Sequence, residues 1–140
     1  MLLGFKKVRF GAGKYAGIGG GVEPGESPQQ AAVRELEEET GVRVQPPALT
    51  SKGHVTFLFP DRPAWNQTVH IFTATEWEGD PRETEEMRPA WFPVHQLPLD
   101  RMWQDAALWL PRVLAGQVVQ IECIFAADNE TVVEVREKAP

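Results

Sequence analysis

The stretch from residue 20 to residue 42 constrains this chain most, because its residues mark both ends of a helix. Ser27 is a good N-cap, Pro28 suits the first helical position, and Gln30 completes a capping box. Gly41 favours the left-handed conformation in which helices commonly end. We therefore predict one helix between Ser27 and Gly41.

The predicted helix carries an unusual concentration of negative charge toward its C-terminal end. Its glutamates are Glu35, Glu37, Glu38 and Glu39, and at helical spacing the first, third and fourth converge beside an apolar stripe. These like charges repel one another and oppose the helix dipole, which Arg34 offsets only in part. A hard divalent cation such as Mg²⁺ would explain the cluster. A solvated acidic face is the alternative that the residues leave open.

Composition and length narrow the classes of protein to consider. The 140 residues suit a single domain over 1–140, and the net charge of −6 argues against a nucleic-acid polymer as partner, but not against single nucleotides. The one cysteine, Cys123, lies in an apolar alternating run, so we expect a buried inert thiol, no internal disulfide and a cytoplasmic protein. No stretch predicts a membrane span.

Outside that helix, the apolar patterns predict several strands and a second helix. The predicted strands cover 2–10, 42–44, 54–59, 68–77, 90–94, 117–126 and 131–136, and the last two form a hairpin. The second helix covers 105–115, where Pro111 is expected to kink or divide it. His54 and His70 lie on strands without an acid or cysteine at ligand spacing, so we interpret them as structural. This order predicts an α/β fold with helices packed on a mixed sheet.

The spacing of residues within 20–42 resembles the Nudix box. That pattern is met by Gly20, five residues, Glu26, seven residues and then Arg34-Glu35-Leu36-Glu37-Glu38-Glu39-Thr40-Gly41-Val42. FGAG at 10–13, GIGG at 17–20, EMRPAWF at 86–92 and MW-x-D at 102–105 resemble the branch of this family that hydrolyses oxidised purine nucleoside triphosphates. The resemblance covers nearly the whole chain in order. It implies the Nudix fold, an α/β/α sandwich around a mixed β-sheet.

The resemblance implies a metal-dependent hydrolysis of a nucleoside triphosphate to the monophosphate and pyrophosphate. The cofactor would be Mg²⁺, with Mn²⁺ as its substitute. The metal ligands would be the carbonyl group of Gly19 and the carboxylates of Glu35, Glu38, Glu39 and Glu86. Arg34 would orient the glutamates and complete a catalytic set with Glu35, Glu38 and Glu39. Which carboxylate deprotonates the attacking water stays open.

The resemblance also implies a site for a small-molecule nucleotide. Its residues would be Lys6, Phe10, Ala16, Ile18, Gly19, Gly20, Gly21, Phe57, Trp103 and Asp105. Trp103 and Phe57 resemble the aromatic walls of a purine pocket, on which bases stack, although Phe57 suits a hydrophobic core almost equally well. Asp105 resembles an acid that hydrogen-bonds the edge of the purine.

Two positions depart from the pattern of that branch. Ala16 stands where an asparagine is common, and Ala106 stands where a second aspartate is common. Because each change removes a polar group that reads the base, we predict that hydrolysis persists with a looser or different purine preference. Two alternatives stay open: a Nudix pyrophosphatase acting on another nucleoside diphosphate derivative, and a Nudix-fold module that binds nucleotides without hydrolysing them.

The start of the chain is a third departure. Members of the branch typically have another strand ahead of the segment that matches residues 1–10. An uncovered strand edge invites pairing with another chain. We therefore expect a fold with one strand fewer, a homodimer formed through the uncovered N-terminal edge, or a start codon upstream of Met1.

Overall fold

The computed structural model describes residues 1–19 and 21–138. Contacts between residues divide the chain into two compact units. The first comprises Met1–Thr50 and Phe72–Trp103, and the second comprises Ser51–Ile71 and the chain from Gln104 onward. A single domain over residues 1–140 stays a prediction.

The described residues form seven strands and two α-helices. The strands are β1 (Leu2–Lys6), β2 (Tyr15–Ala16), β3 (Thr50–Leu58), β4 (Gln67–Thr73), β5 (Met87–Trp91), β6 (Val119–Phe125) and β7 (Val132–Glu137). The helices are α1 (Pro28–Thr40) and α2 (Ala106–Leu114), and short 3₁₀ turns cover Pro46–Ala48, Pro63–Trp65 and Leu99–Arg101. No helix in the described part of the chain is long and apolar enough to cross a membrane.

Helix α1 forms as its caps predict. The Ser27 side chain accepts a hydrogen bond from the Gln30 amide, and the Gln30 side chain accepts one from the Ser27 amide, which closes the capping box. Gly41 ends the helix with a φ of 79°, in the left-handed region. The helix packs on β5 and buries Ala31, Glu39 and Thr40, so one of its glutamates is withdrawn from solvent.

Three antiparallel strands form the sheet of the first unit, in the order β2-β1-β5. The predicted strand 2–10 is wrong at its end, because the chain turns back after Lys6, whose amide donates to the Lys14 carbonyl. β5 pairs with β1 so that Lys6 lies opposite Met87, and the Lys7 amide donates to the Glu86 carbonyl. This pairing brings the end of β1 beside the start of β5.

The outer strands of this sheet are β2 and β5, with β1 between them. The strand predicted over 90–94 is shifted, since β5 starts at Met87 and includes Pro89. An edge strand tolerates proline because one side of it needs no amide donor. The homodimer through an uncovered N-terminal edge stays a prediction.

Two other predicted strands have wrong limits. Residues 42–44 form only an isolated bridge, in which the backbones of Arg43 and Glu78 exchange two hydrogen bonds. The strand predicted over 68–77 ends at Thr73, and the chain beyond it leaves the strand and pairs instead with Arg43. These limits depend on a partner distant in sequence, which the local pattern does not reveal.

The second unit contains a mixed sheet in the order β4-β3-β6-β7. β3 and β6 run parallel, while β6 and β7 run antiparallel and form the predicted hairpin. In its turn, Asn129 adopts the left-handed conformation, and the Asp128 carboxylate accepts hydrogen bonds from the amides of Glu130 and Thr131. The predicted α/β class and mixed sheet are confirmed, and the strands are divided between two sheets.

Close backbone approach shapes the centre of this second sheet. β3 starts at Thr50 rather than at His54 and includes Gly53, which has a φ of 92°. A Cβ at Gly53 would lie 1.8 Å from the Val119 carbonyl oxygen, so only glycine permits this approach of β3 to β6. The rings of His54 and His70 lie 6.0 Å apart, and their structural role stays a prediction.

The core of the second unit lies between α2 and the sheet. α2 packs against β6 and is one helix that Pro111 does not divide. The rings of Phe59 and Phe125 stack with centroids 4.5 Å apart. Cys123 is fully buried on β6, and burial raises the pKa of its thiol to about 12, as expected for an inert thiol.

Candidate active site

A cleft of about 160 Å³ opens in the first unit, where the end of β1, the glycine-rich segment (residues 11–19 and 21), α1 and the start of β5 meet. It is lined by Lys6, Val8, Arg9, Gly19, Gly21, Glu35, Glu39, Glu86 and Met87. Four of the five predicted metal ligands therefore line one cleft, and the predicted substrate residues Lys6 and Gly21 lie there too. The pairing of β1 with β5 positions Lys6 and Glu86, and helix α1 presents Glu35 and Glu39.

Glu39 is the most unusual side chain of the cleft. It is only 6% exposed, and its Oε2 atom is buried without a hydrogen-bond partner. Burial, together with a hydrogen bond and repulsion from Glu35, raises its pKa to about 8, although the positive charge of Lys6 opposes this. A buried polar atom without a partner calls for an explanation, and a bound cation is one.

Arg34 ties helix α1 to the segment that precedes it. Its guanidinium donates to both carboxylate oxygens of Glu26, at 2.8 and 3.0 Å, and to the Gly21 carbonyl at 2.9 Å. It also donates to Glu35 at 2.7 Å. The hydrogen bond from Arg34, aided by one from the Glu23 backbone, lowers the pKa of Glu26 to about 2. Arg34 thus contacts Glu35 directly, and its role in orienting the glutamates stays a prediction.

Glu38 stands apart from the other glutamates. Its side chain is 59% exposed, its Oε2 lies 3.3 Å from Nη1 of Arg34, and it is not among the described residues that line the cleft. Within residues 1–19 and 21–138, no group of three or more His, Cys, Asp or Glu side chains is close enough to hold a metal ion. The structure therefore brings together Gly19, Glu35, Glu39 and Glu86, and leaves Glu38 outside.

The donor chemistry of the cleft nevertheless fits a hard divalent cation. Glu35, Glu39, Glu86 and Gly19 line it, and carboxylate and backbone carbonyl oxygens are the ligands that Mg²⁺ prefers. One of these oxygens, Oε2 of Glu39, is both buried and unpartnered. A cation would supply its missing partner and remove the repulsion between Glu35 and Glu39.

The aromatic residues predicted for the base lie in different units. Phe10 stacks on Trp103 in the first unit, with centroids 5.2 Å apart and an interplanar angle of 17°. The Lys14 ammonium group lies 5.1 Å from the centroid of the Trp103 ring. In the second unit, the Phe57 ring lies 6.2 Å from that of Phe125, as expected for a core aromatic. Phe57 therefore stays open to both interpretations, a wall of the purine pocket and a residue of the hydrophobic core.

The remaining predicted substrate residues are spread over the chain. Ala16 is half-buried in β2, and Ile18 is half-buried in the glycine-rich segment. Gly20 lies outside the described residues. Asp105 belongs to the second unit, where it is 3% exposed and accepts a hydrogen bond of 2.7 Å from Nε1 of Trp109. Burial raises its pKa, and the Trp109 hydrogen bond opposes this.

Comparison with known proteins establishes the family. Residues 2–113 match the model of the NUDIX domain. The chain belongs to the Nudix family. An oxidized purine nucleoside triphosphate hydrolase of Danio rerio is 46% identical over 114 residues, covering 81% of this chain and 71% of that protein. An 8-oxo-dGTP diphosphatase of Escherichia coli is 37% identical over 89 residues, covering 64% of this chain and 65% of that protein.

A solved structure supports the same fold. The Mutator MutT protein from Bacillus halodurans superposes with a TM-score of 0.79 at 25% sequence identity, covering 96% of this Nudix chain and 87% of that protein. The α/β Nudix fold implied by the resemblance is therefore confirmed.

Two side chains of the site were not predicted as functional. Glu26 was placed in the Nudix box by spacing alone, and its bidentate pairing with Arg34 gives it the task of anchoring that arginine. Arg9 lines the cleft, yet the sequence places it inside an apparently regular strand. Gly11 and Gly13, which both have positive φ, are the signal that could have indicated the turn that carries Arg9.

Replacing Asp105 by asparagine tests how much folding stability is lost by burying the ionised carboxylate. Because burial raises the pKa of Asp105 above that of an ordinary aspartate, the protonated form stabilises the fold, and that contribution is lost as the pH rises through the folded pKa. The asparagine side chain cannot ionise, and its amide oxygen can still accept the Trp109 hydrogen bond. We expect D105N to be more stable than wild type at neutral pH, with the difference shrinking as the pH falls through the raised pKa of Asp105 and levelling off below about pH 4, the pKa of an ordinary aspartate.

Urea unfolding of both proteins across this pH range measures the effect of D105N. Asp128, an exposed aspartate of the hairpin turn, provides the control D128N with the opposite sign. Hydrogen bonds from Thr131 and Glu130 lower the pKa of Asp128, so its stabilisation is present at neutral pH and is lost as the pH falls. A D105N protein that is less stable than wild type by the same amount at every pH would contradict the prediction.

Proposed function

We propose that this Nudix protein is a Mg²⁺-dependent enzyme that hydrolyses oxidised purine nucleoside triphosphates to the monophosphate and pyrophosphate. The observation that carries the proposal is the cleft lined by Gly19, Glu35, Glu39 and Glu86, in which one carboxylate oxygen, Oε2 of Glu39, is buried and unpartnered. The names of the relatives support the substrate class. The acidic net charge of −6 and a nucleotide partner are compatible, since a cation can bring phosphates to an acidic cleft.

Nudix hydrolases use a divalent metal ion. We propose Mg²⁺, with Mn²⁺ as its substitute, held by Gly19, Glu35, Glu39 and Glu86, and by Glu38 from the same helix. Such a cation, when bound, neutralises phosphate charge and favours deprotonation of the attacking water.

Several side chains of this protein position the glutamates of the cleft and balance their negative charge. Arg34 holds Glu35 in place through a hydrogen bond of 2.7 Å and is itself held by Glu26. Burial and the neighbouring Glu35 raise the pKa of Glu39 to about 8, so this carboxyl group favours its neutral form near neutral pH until a cation balances the charge. Lys6, at the end of β1, contributes positive charge to the same cleft.

We propose that Trp103, stacked with Phe10, provides an aromatic face for the purine, and that Asp105 hydrogen-bonds its edge. Ala16 and Ala106 offer no polar group at positions that would otherwise read the base. Selectivity among purines should therefore be looser than, or different from, that of the branch it resembles. We also propose a cytoplasmic location, which suits the single buried thiol of Cys123.

A substrate panel tests this proposal. With Mg²⁺ present, kcat/KM is measured for 8-oxo-dGTP, 2-hydroxy-dATP and unmodified dGTP, with a nucleotide sugar and a dinucleotide as members of the alternative substrate class. We expect turnover of the oxidised purine triphosphates with modest discrimination among them. Strong discrimination for one oxidised base would refute the selectivity prediction. Turnover confined to the nucleotide sugar or dinucleotide would refute the substrate class, and binding without turnover on every substrate would favour a nucleotide-binding module.

A further inference from the structure

Arg9 has a backbone conformation that its residue type disfavours. Among the described residues, Arg9 and Asn129 are the non-glycine residues with positive φ, at 66° and 56°. Asparagine tolerates this region because of its short polar side chain, whereas arginine has no such compensation. Strain of this kind persists where the surroundings fix it, and it commonly marks a functional position.

The turn that carries Arg9 is firmly fixed. The Ala12 amide donates to the Arg9 carbonyl at 3.1 Å, and the Gly13 amide donates to the Lys6 carbonyl at 2.9 Å. On the other side, the Lys7 amide donates to the Glu86 carbonyl at 3.0 Å. These bonds hold the turn against the start of β5, so that Arg9 lines the cleft beside Glu86.

Two of the other cations near the cleft already have strong partners within the protein. Arg34 is committed to Glu26, Glu35 and the Gly21 carbonyl by hydrogen bonds of 2.7 to 3.0 Å. The Lys7 ammonium group is bound by Glu83 and by the Thr84 carbonyl. Neither can turn to a ligand without breaking these bonds.

Arg9 is held only loosely by comparison. Its Nη1 lies 3.5 Å from Oε1 of Glu86, which is longer than the distance of about 2.7–2.9 Å typical of a charge-assisted hydrogen bond. Its side chain is 76% exposed, so the guanidinium can move without leaving an unpaired group buried. The carboxylate beside it, that of Glu86, is also a proposed metal ligand.

We propose that Arg9 binds the phosphate chain of the substrate, and that Glu86 holds it at the cleft beforehand. A guanidinium presents a planar fork of N–H donors that matches two oxygens of a phosphate, and its charge complements the substrate's. Arg9 is therefore a substrate-binding residue whose strained backbone aims it at the cleft. This inference rests on the proposed function, and it specifies which side chain contacts the phosphates.

Two variants of Arg9 and one control distinguish the contribution of its side chain to phosphate binding from the effect of its strained backbone. In R9G, glycine adopts the positive φ without strain, so we expect the melting temperature to hold or rise while the phosphate contact is lost. R9K keeps the charge and the strain but lacks the fork. R43A is the matched control, since Arg43 is another exposed arginine of the first unit and lies 3.7 Å from its partner Glu78, away from the residues lining the cleft.

Calorimetric titration with inorganic tripolyphosphate in the presence of Mg²⁺ gives a readout that does not depend on turnover. We expect R9G to bind about tenfold or more weakly than wild type, R9K to recover part of the loss, and R43A to match wild type. For whichever triphosphate the wild type hydrolyses, R9G should raise KM more than it lowers kcat. Equal affinity of R9G and wild type for tripolyphosphate, or no measurable binding by the wild type, would overturn the inference.

The two proposals fail in distinguishable ways. If wild type hydrolyses oxidised purine triphosphates and R9G binds tripolyphosphate as well as wild type does, the role of Arg9 is wrong and the proposed function stands. If R9G loses tripolyphosphate affinity and no purine triphosphate is turned over by the wild type, the phosphate contact stands and the proposed function is wrong.

Discussion

E39Q is expected to lower kcat by about two to three orders of magnitude while leaving the protein folded. Glutamine keeps the shape of Glu39 but removes the negative charge that a cation in the cleft would need. Because Glu39 is only 6% exposed and one of its oxygens has no partner, this charge is costly for the fold to bury. The melting temperature should therefore hold or rise as activity falls.

Two neighbours on α1 make the experiment specific. E37Q is the matched control, because Glu37 belongs to the same run of glutamates but is exposed and is not among the residues lining the cleft. E38Q is expected to lower turnover as well, although Glu38 lies beside Arg34 and has an exposed side chain. Steady-state kinetics across a Mg²⁺ titration, with thermal melting of each variant, measures both effects. Rates near wild type in E38Q and E39Q together would remove these residues from the metal site.

R34K is expected to lower turnover by about ten- to a hundredfold, the range typical for groups that orient metal ligands. Arg34 binds Glu26 with two hydrogen bonds while also reaching Glu35 and the Gly21 carbonyl. A lysine ammonium group keeps the charge but cannot span these acceptors, because it lacks the planar fork. Glu35 would then lose its fixed position at the cleft.

A double-mutant cycle with Glu26 checks that Arg34 acts through this network. E26Q alone should lower turnover in the same direction, and the R34K/E26Q double variant should lose less than the product of the single losses, because both changes disrupt one set of hydrogen bonds. R43K controls for a generic arginine-to-lysine change in the first unit. Full turnover in R34K, or losses that multiply, would mean that Arg34 does not position the site through Glu26.

Local contacts made part of this fold predictable from the sequence. The limits of α1 depend on Ser27, Gln30 and Gly41, which act within a few residues of the helix ends. The hairpin turn at Asp128 and Asn129 is equally local, since the hydrogen bonds that fix it span at most three residues. Such elements could be predicted because the residues that stabilise them are close together in the sequence.

Distant pairing decides the elements whose limits were predicted wrongly. β1 stops at Lys6, the last residue that pairs with β5, where it lies opposite Met87. There the backbone turns back, and the Lys6 amide donates to the Lys14 carbonyl. The left-handed conformation of Arg9 follows from that turn, and no glycine or asparagine at this position indicates it. The presence of Arg9 in the cleft therefore became visible only in the fold.

The same distinction applies to the candidate site. Helical spacing predicted that Glu35, Glu38 and Glu39 converge, but it could not decide which of them is buried. Burial depends on the packing of α1 against β5, which withdraws Glu39 from solvent and leaves Glu38 largely exposed. Glu86 entered the site through resemblance alone, and the pairing of β1 with β5 supplies the physical reason for its position.

The proposed reaction is tested most sharply by identifying the products that the wild-type protein forms from 8-oxo-dGTP with Mg²⁺. Nucleotide products are separated by anion-exchange chromatography, and pyrophosphate and orthophosphate are assayed separately, with a chelator-treated sample as control. We predict one pyrophosphate for each nucleoside monophosphate formed, and no reaction after the divalent ions are removed. Release of orthophosphate with a nucleoside diphosphate, or equal turnover in the chelator-treated sample, would contradict the proposed metal-dependent pyrophosphohydrolase.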